Sequence, residues 1–231
     1  MSSSTPDAAL PFDPPDHALL DRARAAFAGR RVAVVGDAIL DTYCHEDGTS
    51  SCYAGGAAVI AAHLRALGAE PRLITLTARD GDTAQLLRCL ERVDVPYEAV
   101  AARASLPARV REVCNGQIKA RRKLQLVLSP PPSTVGRIAG AVAELRASLD
   151  AVVFCDFGYG AVTPALLDGL LPVLRPSVAT LAGDVSGPRP SLLAMRRFDL
   201  LTPTESELRR LTPSPVPVSY THLTLPTIYS V

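Results

Sequence analysis

The sequence lacks several features that would assign it to common functional classes. Its 231 residues carry a formal net charge of only +1. The lack of a basic excess argues against a nucleic-acid-binding platform and gives no signal for an acidic membrane surface. No apolar run approaches the roughly 18 residues of a membrane-spanning helix, and the leader has no basic segment of the kind that starts a secretory signal. We therefore expect a cytoplasmic protein whose partners are small molecules, with neither nucleic acid nor membrane among them.

Metal-binding cysteine patterns are also missing. The five cysteines are odd in number and none forms a C-x-x-C pair, which predicts reduced thiols in a cytosolic protein. His45 and His63 have no neighbours at metal-ligand spacing, so we expect no metal on either. What the chain does have is an apolar fraction of 48% with 20% charged residues, which is enough for a sizeable core and excludes global disorder.

The residues that are present alternate between strand and helix patterns. An apolar run at 32–35 ends at Gly36, and the segment from Gly55 to Gly68 has apolar residues at helical spacing. Similar pairs recur at intervals of roughly 25 to 35 residues, which is typical of βαβ units. We predict an α/β fold with a doubly wound, mostly parallel sheet. The pair Asn115-Gly116 additionally predicts a β-hairpin.

Carboxylates follow three of the predicted strands. Asp156 comes directly after an apolar run, Asp37 and Asp184 each follow such a run after one glycine, and Asp41 lies four residues beyond Asp37. Carboxyl ends of parallel strands meet at one edge of the sheet, which is where ligands bind in open α/β folds. Ionised carboxylates only accept hydrogen bonds, so they suit the hydroxyl groups of a sugar. The alternative is that the glycines only pack a helix and the carboxylates only cap loops. This pattern alone leaves both interpretations open.

Six motifs, in this order, resemble the ribokinase-like (PfkB) carbohydrate kinases, and most of all the heptose-7-phosphate kinase module of bifunctional ADP-heptose synthases. They are VVGDAILDTY at 34–43, GGAAVIAAHLRALGA at 55–69, the hairpin that carries Arg109 and Arg111, VVFCDFGYGAV at 152–162, AGD at 182–184 and LLTPTESEL at 200–208. The resemblance implies a three-layer ribokinase-like fold. It also implies ATP-dependent phosphoryl transfer, with Mg²⁺, to a hydroxyl of a sugar or sugar phosphate.

The resemblance also implies a role for each matched residue. Glycine lets the backbone approach a sugar, arginine forks bind phosphate oxygens, and carboxylates suit magnesium through its waters. The implied substrate-binding residues are Asp37, Asp41, Gly55, Gly56, Arg109 and Arg111. The residues implied on the nucleotide and magnesium side are Asp156, Asp184, Thr204 and Glu207.

Several positions depart from the family pattern. Val59 stands where the family has a sugar-contacting Asn, Tyr159 replaces a Lys, and Thr204 replaces the Asn of an Asn-x-x-Glu element. Only thirteen residues separate Asp41 from Gly55, which predicts a shortened β lid over the sugar and weakens the homodimer that such lids form. The identity of the sugar therefore cannot be transferred from the family.

Composition changes abruptly after Pro215. Residues 217–231 contain no Ala, Gly, Arg, Lys, Asp or Glu, and 219–227 resemble a translated sequencing adapter. We therefore expect a leader with a flexible start at 1–30, the N-terminal part of a kinase domain at 31–216, and a non-native tail at 217–231. No Gly-x-Gly-Asp sequence is present, although the family takes its general base and anion hole from such a motif.

These observations predict a sheet that is incomplete at its C-terminal side, no catalytic base among the residues present, and no turnover. Two alternatives stay open. One is a non-catalytic sugar-binding or regulatory module that uses the pocket at Asp41 and Gly55. The other is a Rossmann-like nucleotide-binding transferase, which would need a G-x-G-x-x-G loop after the first strand; this chain lacks that loop.

Overall fold

The computed structural model describes residues 17–115, 117–124, 130–186, 191–195, 197–204 and 206–208, without the side chains of 121–124. Its strands are β1 Arg31–Gly36, β2 Ala38–His45, β3 Ser50–Gly56, β4 Glu70–Thr77, β5 Tyr97–Ala101, β6 Ala108–Cys114, β7 Gln117–Leu124, β8 Ala151–Asp156, β9 Thr180–Val185 and β10 Leu200–Leu201. Its α-helices are α1 His17–Phe27, α2 Ala57–Ala66, α3 Gly81–Arg92, α4 Pro132–Leu145 and α5 Pro164–Leu174, with short 3-10 segments at Arg146–Ser148 and Ser191–Met195.

The main sheet has six strands in the order β10-β9-β8-β1-β4-β5. Every neighbouring pair in it is parallel, as the strand–helix alternation predicts. Helices α2 and α3 pack in one hydrophobic cluster on this sheet, while α4 and α5 pack in a second cluster. The predicted three-layer, doubly wound α/β architecture is confirmed.

Local signals explain where the helices begin. Asp80 accepts a hydrogen bond from the Thr83 backbone N–H at 2.8 Å and so caps α3. Thr163 does the same for α5 through the Leu166 N–H at 3.2 Å, and Pro164 occupies the first turn of that helix, where its missing N–H is no loss. Helix α4 begins at Pro132 and gives way to 3-10 geometry after Leu145.

A second sheet has four strands in the order β3-β2-β6-β7. Strands β2 and β3 are antiparallel, β6 lies parallel to β2, and β6 and β7 form the hairpin that Asn115-Gly116 predicted. Asn115 has a φ of +50°, which suits the turn of such a hairpin. The prediction of a shortened lid considered only the residues between Asp41 and Gly55. The hairpin at 108–124 contributes two further strands, so the second sheet is wider than that segment alone predicts.

Two other predictions concern the two ends of the chain. Residues 1–30 were predicted to be a leader, and the structure describes a helix, α1, within them. Its side chains are largely exposed, and Phe27 packs against the cluster formed with α2 and α3. The predicted non-native tail at 217–231 lies outside the described residues.

Candidate functional site

The candidate site lies where the order of the main sheet reverses. Strand β1 has β4 on one side and β8 on the other, and the later strands continue outward in both directions. Ligands in open α/β sheets bind beyond the carboxyl ends of the strands at such a switch point. Asp37 follows β1, Asp156 ends β8 and Asp184 lies near the end of β9. The structure therefore brings together at one edge the three carboxylates that the sequence placed after strands.

Asp37 is fully buried and its carboxylate is saturated. One oxygen, Oδ1, accepts from Arg103 Nη2 at 2.7 Å and from the Ala161 N–H at 2.9 Å. The other, Oδ2, accepts from the N–H groups of Phe157 at 3.2 Å and Tyr159 at 3.0 Å. A carboxylate offers about four acceptor positions, so no position is left for a sugar hydroxyl. In place of the predicted substrate contact, we propose that Asp37 positions the loop that follows β8.

The ion pair between Asp37 and Arg103 joins the points where the chain passes between the two sheets. Residue 37 is the single residue between β1 and β2, and Arg103 lies in the connection from β5 to β6. The Asp37 carbonyl also accepts from the Ala57 N–H at 2.9 Å, at the start of α2. Within the described residues, Arg103 Nε and Nη1 have no hydrogen-bond partner. Arg103 was missed in the sequence analysis because a lone arginine in a loop carries no local signal.

Gly55 and Gly56 are the last two residues of β3, directly before α2. Gly56 has a φ of +60°, and a Cβ there would meet the Asp37 carbonyl oxygen at 2.3 Å. The backbone conformation and this backbone contact therefore require glycine at position 56. A Cβ on Gly55 would instead meet Asp41 Oδ2 at 2.2 Å. The structure thus shows Gly55 close to the Asp41 carboxylate, and the approach of this glycine pair to a sugar stays a prediction.

Asp41 lies on β2 and forms an ion pair across the second sheet. Arg111 Nη1 donates to Asp41 Oδ1 at 2.7 Å, and the exposed fractions of the two side chains are 19% for Arg111 and 14% for Asp41. The Arg111 guanidinium carbon lies 4.9 Å from the centroid of the Tyr43 ring, which is within cation–π distance. Tyr43 makes an edge-on contact with Tyr53, at 5.6 Å between centroids. The sequence motif contained Tyr43 without indicating this contact.

Arg109 is the register partner of Asp41 in the parallel pair of β2 and β6. Residues in register on neighbouring strands project to the same face of a sheet. Asp41, Tyr43, Arg109 and Arg111 therefore share one face of the second sheet. The Nε atom of Arg109 is buried and has no hydrogen-bond partner among the described residues. The structure thus brings both predicted phosphate-binding arginines beside Asp41.

Asp156 is buried at the end of β8. Burial raises the pKa of its carboxyl group above the ordinary value, and hydrogen bonds from the N–H groups of Ser191 and Gly158 oppose that rise only in part. Its two oxygens thereby connect the loop after β8 to the 3-10 segment at Ser191–Met195. Asp156 therefore binds the backbone of Gly158 and Ser191 at the carboxyl edge of the main sheet. The sequence predicted that it faces a nucleotide at this same edge.

Asp184 is the second-last residue of β9, and Thr204 and Glu207 lie in the segment that follows β10. Burial is the main cause that raises the pKa of Asp184; the Thr202 hydroxyl, which donates to it at 3.0 Å, lowers it, and the negative charge of Glu207 raises it further. Glu207 Oε2 accepts from the Thr204 N–H at 2.7 Å, while the Thr204 hydroxyl accepts from the Glu207 N–H at 3.4 Å. This reciprocal pattern is a capping box.

The donor chemistry on the nucleotide side fits a hard cation in part. Asp184 and Glu207 offer carboxylate oxygens, the donors that magnesium prefers, and the negative charge of Glu207 raises the pKa of Asp184. However, the described residues contain no group of three or more His, Cys, Asp or Glu side chains placed to hold a metal ion. Magnesium that keeps several of its waters needs only one or two carboxylates of a protein, and Asp184 and Glu207 fit that requirement.

None of the helices among the described residues is long and apolar enough to cross a membrane. A groove of about 360 Å³ is lined by Arg72, Glu98, Val100, Arg137, Gly140, Ala141, Glu144 and Leu145. Arg72 and Glu98 lie near the amino ends of β4 and β5. This groove is therefore away from the carboxyl edge of the sheet and outside the candidate site.

Comparison with known proteins identifies the fold. No family model matches the chain. A carbohydrate kinase from Agrobacterium tumefaciens is 18% identical, with a TM-score of 0.61 over 79% of this chain and 63% of that one. Phosphofructokinase-2 from Escherichia coli in complex with fructose-6-phosphate is 15% identical, with a TM-score of 0.57 over 80% of this chain and 64% of that one. The chain has the ribokinase-like fold that its motifs predicted.

One curated protein sequence is also similar. The bifunctional protein HldE from Caulobacter vibrioides is 28% identical in an alignment of 170 positions that covers 65% of this chain and 34% of that protein. The chain thus spans about a third of the length of this relative and 63 to 64% of the two solved structures.

Proposed function

We propose that this chain carries the sugar-binding side of an ATP-dependent carbohydrate kinase. The reaction of such an enzyme transfers the terminal phosphoryl group of ATP to a sugar hydroxyl, forming a phosphate ester and ADP and releasing the hydroxyl proton. The observation that carries the proposal is that Asp41, Gly55 and Arg111 meet in the second sheet, whose strand β2 begins one residue after the carboxyl end of β1. A carboxylate there can accept hydrogen bonds from sugar hydroxyls and orient them.

We further propose a phosphorylated sugar, with heptose 7-phosphate as the first candidate. Arg109 and Arg111 lie on one face of the second sheet, and guanidinium groups bind phosphate oxygens through paired hydrogen bonds. The similarity to HldE supports a heptose, and fructose-6-phosphate in the structural relative supports a sugar phosphate in general. With Val59 in place of an Asn on α2, one polar contact to the sugar is absent at that position.

The nucleotide side belongs to the same proposal. Magnesium, when bound with ATP, would neutralise charge on the transferred phosphoryl group. Asp184 and Glu207 are the residues of this chain that would hold its waters. Asp156 keeps the loop after β8 in place, through its hydrogen bond to the Gly158 N–H. A base that takes the hydroxyl proton is expected from a Gly-x-Gly-Asp motif, which is absent from residues 1–231. We therefore expect this polypeptide to bind sugar without turning it over.

Calorimetric titration and a coupled ADP assay test the proposal together. We expect heptose 7-phosphate to bind without ATP, and Asp41→Asn to weaken that binding by about tenfold or more, because a charge-assisted acceptor is lost. Release of ADP by the purified chain would contradict the expected lack of turnover. If a folded sample binds no heptose phosphate and no fructose 6-phosphate, the sugar-binding assignment is wrong.

A non-catalytic sugar-binding module is the second candidate function. The lack of a Gly-x-Gly-Asp sequence favours it, because such a module would need the pocket at Asp41 and no general base. Titration with ATP separates the two candidates, since a kinase half that meets nucleotide at Asp184 and Glu207 should respond to magnesium-ATP. A binding module for sugar alone should give no signal with the nucleotide.

A further inference from the structure

The Asp41 carboxylate is already engaged by a side chain of its own sheet. Arg111 Nη1 lies 2.7 Å from Asp41 Oδ1, a distance typical of a charge-assisted hydrogen bond. The Tyr43 ring supports the guanidinium group from another side, 4.9 Å from its central carbon. Both charged side chains remain partly exposed. The residue best placed to accept a sugar hydroxyl is therefore held by a cation, and that cation can be reached by solvent.

This arrangement affects neutral and phosphorylated sugars differently. A neutral sugar that needs Asp41 must compete with Arg111, and it offers the displaced guanidinium group no negative charge in return. A sugar phosphate offers the guanidinium two oxygens in place of the one it gives up, so the arginine exchanges one anion for another. Arg109 adds a second guanidinium on the same face, and its Nε has no partner among the described residues.

We propose that Arg111 acts as a latch on Asp41, so that the site accepts phosphorylated sugars and discriminates against unphosphorylated ones. This inference rests on the proposed sugar-binding function and adds to it the source of substrate selectivity. Arg111 has two roles in it: it contacts the phosphate in the complex, and it masks the Asp41 carboxylate in the free protein. Tyr43 is a positioning residue, because its ring keeps the guanidinium group near the carboxylate in either state.

The two roles can be separated with Arg111→Gln, which removes the positive charge. Heptose 7-phosphate and unphosphorylated heptose serve as one pair of calorimetric probes, and fructose 6-phosphate and fructose serve as the second. In the unmodified chain we expect each phosphorylated sugar to bind about tenfold or more tightly than its neutral partner. In Arg111→Gln we expect the sugar phosphate to bind about tenfold more weakly and the neutral sugar to bind more tightly. The gain for the neutral sugar is the signature of the latch.

Arg109→Gln is the matched control. Arg109 lies on the same face but makes no hydrogen bond to Asp41 in the described structure, so its loss should weaken the sugar phosphate without improving the neutral sugar. Arg111→Lys keeps a positive charge beside Asp41, so it should keep most of the preference for phosphorylated sugars. If it does, the effect of Arg111→Gln comes from the lost charge and not from a folding defect. Circular dichroism verifies that each variant is folded.

The outcomes distinguish the latch from the function on which it rests. If Arg111→Gln weakens the sugar phosphate and leaves the neutral sugar unchanged or weaker, Arg111 is a phosphate ligand only and the latch is wrong. Equal binding of neutral and phosphorylated sugars by the unmodified chain also overturns it, while sugar binding itself stands. If the folded, unmodified chain binds none of the four probes, the proposed function fails, and the latch fails with it.

Discussion

Asp37 is the residue whose replacement we expect to destabilise the fold most clearly. In Asp37→Asn the side chain keeps its shape, but one acceptor oxygen becomes an NH₂ donor. The carboxylate accepts four hydrogen bonds, from Arg103 and from the N–H groups of Phe157, Tyr159 and Ala161. Whichever way the asparagine amide turns, its NH₂ group faces two of these four donors. The variant also leaves the Arg103 charge without its counter-ion, and only 2% of that side chain is exposed.

The magnitude follows from the burial of the pair. Removing one partner of a buried ion pair destabilises a protein by about 3–5 kcal/mol. Natural domains have a total stability of about 5–15 kcal/mol, so the loss is at least about a fifth of the total. With a urea slope of about 2 kcal/mol per molar, we expect the unfolding midpoint to fall by about 2 M. Urea denaturation followed by circular dichroism measures this directly.

Asp94→Asn is the control for the loss of a carboxylate. Asp94 pairs with Arg65 at the surface, and its side chain is 80% exposed. Its φ of +53° is one that asparagine also adopts readily. Exposed ion pairs contribute little, so the urea midpoint of this variant should stay close to that of the unmodified chain.

Coupling between Asp37 and Arg103 is measured by adding Arg103→Met and the double variant. Because the double variant no longer buries a lone charge, it should be more stable than the sum of the two single losses predicts, by about 0.5–3 kcal/mol. Two results would contradict this role of the ion pair in linking the two sheets. One is a free energy of unfolding for Asp37→Asn within about 1 kcal/mol of that of the unmodified chain. The other is a double variant whose loss of stability equals the sum of the two single losses.

Three further predictions concern the glycine pair and Asp156. Gly56→Ala should destabilise the fold by about 1–2 kcal/mol or more, measured by urea denaturation, since the residue has a positive φ and the new Cβ meets backbone. Gly55→Ala should leave the urea midpoint nearly unchanged but weaken sugar-phosphate binding in calorimetry, since its Cβ displaces the movable Asp41 carboxylate. A larger loss of stability in Gly55→Ala than in Gly56→Ala would contradict both predictions. Burial raises the folded-state pKa of Asp156 above its ordinary 3.8, so the folded state holds this proton more tightly and its stability contribution is lost as pH rises from about 3.8 through the folded pKa. Relative to Asp156→Asn, the unmodified chain should lose unfolding free energy across that interval, and parallel pH profiles would refute this.

Much of the main sheet could be predicted from the sequence because its signals are local. Apolar runs such as 32–35 are buried on both faces of a parallel sheet, and caps such as Asp80 and Thr163 mark helix starts through bonds to residues three positions away. The positions of Asp156 and Asp184 after strands followed from the same runs. These features need no knowledge of distant contacts.

The second sheet and the contacts of the site could not be read in that way. Strands β2 and β6 pair across more than sixty residues, and nothing near Asp41 in the sequence indicates Arg111 or the ring contact with Tyr43. The link between Asp37 and Arg103 is likewise a contact between two loops. A motif match placed Asp37 at the substrate, whereas its hydrogen bonds, visible only in three dimensions, fill its acceptor positions with protein.

The two aspartate–arginine pairs of this chain differ in the property that decides what each can do. Asp37 and Arg103 are buried, so any exchange of partners would leave a charge in a low-dielectric interior, at a penalty of several kcal/mol. Asp41 and Arg111 lie at the edge of solvent, where water and an incoming anion can solvate each charge as it separates, and such pairs are held by far less. The buried pair is therefore the harder of the two to separate, and the partly exposed pair is the one that we propose exchanges its partners for a ligand.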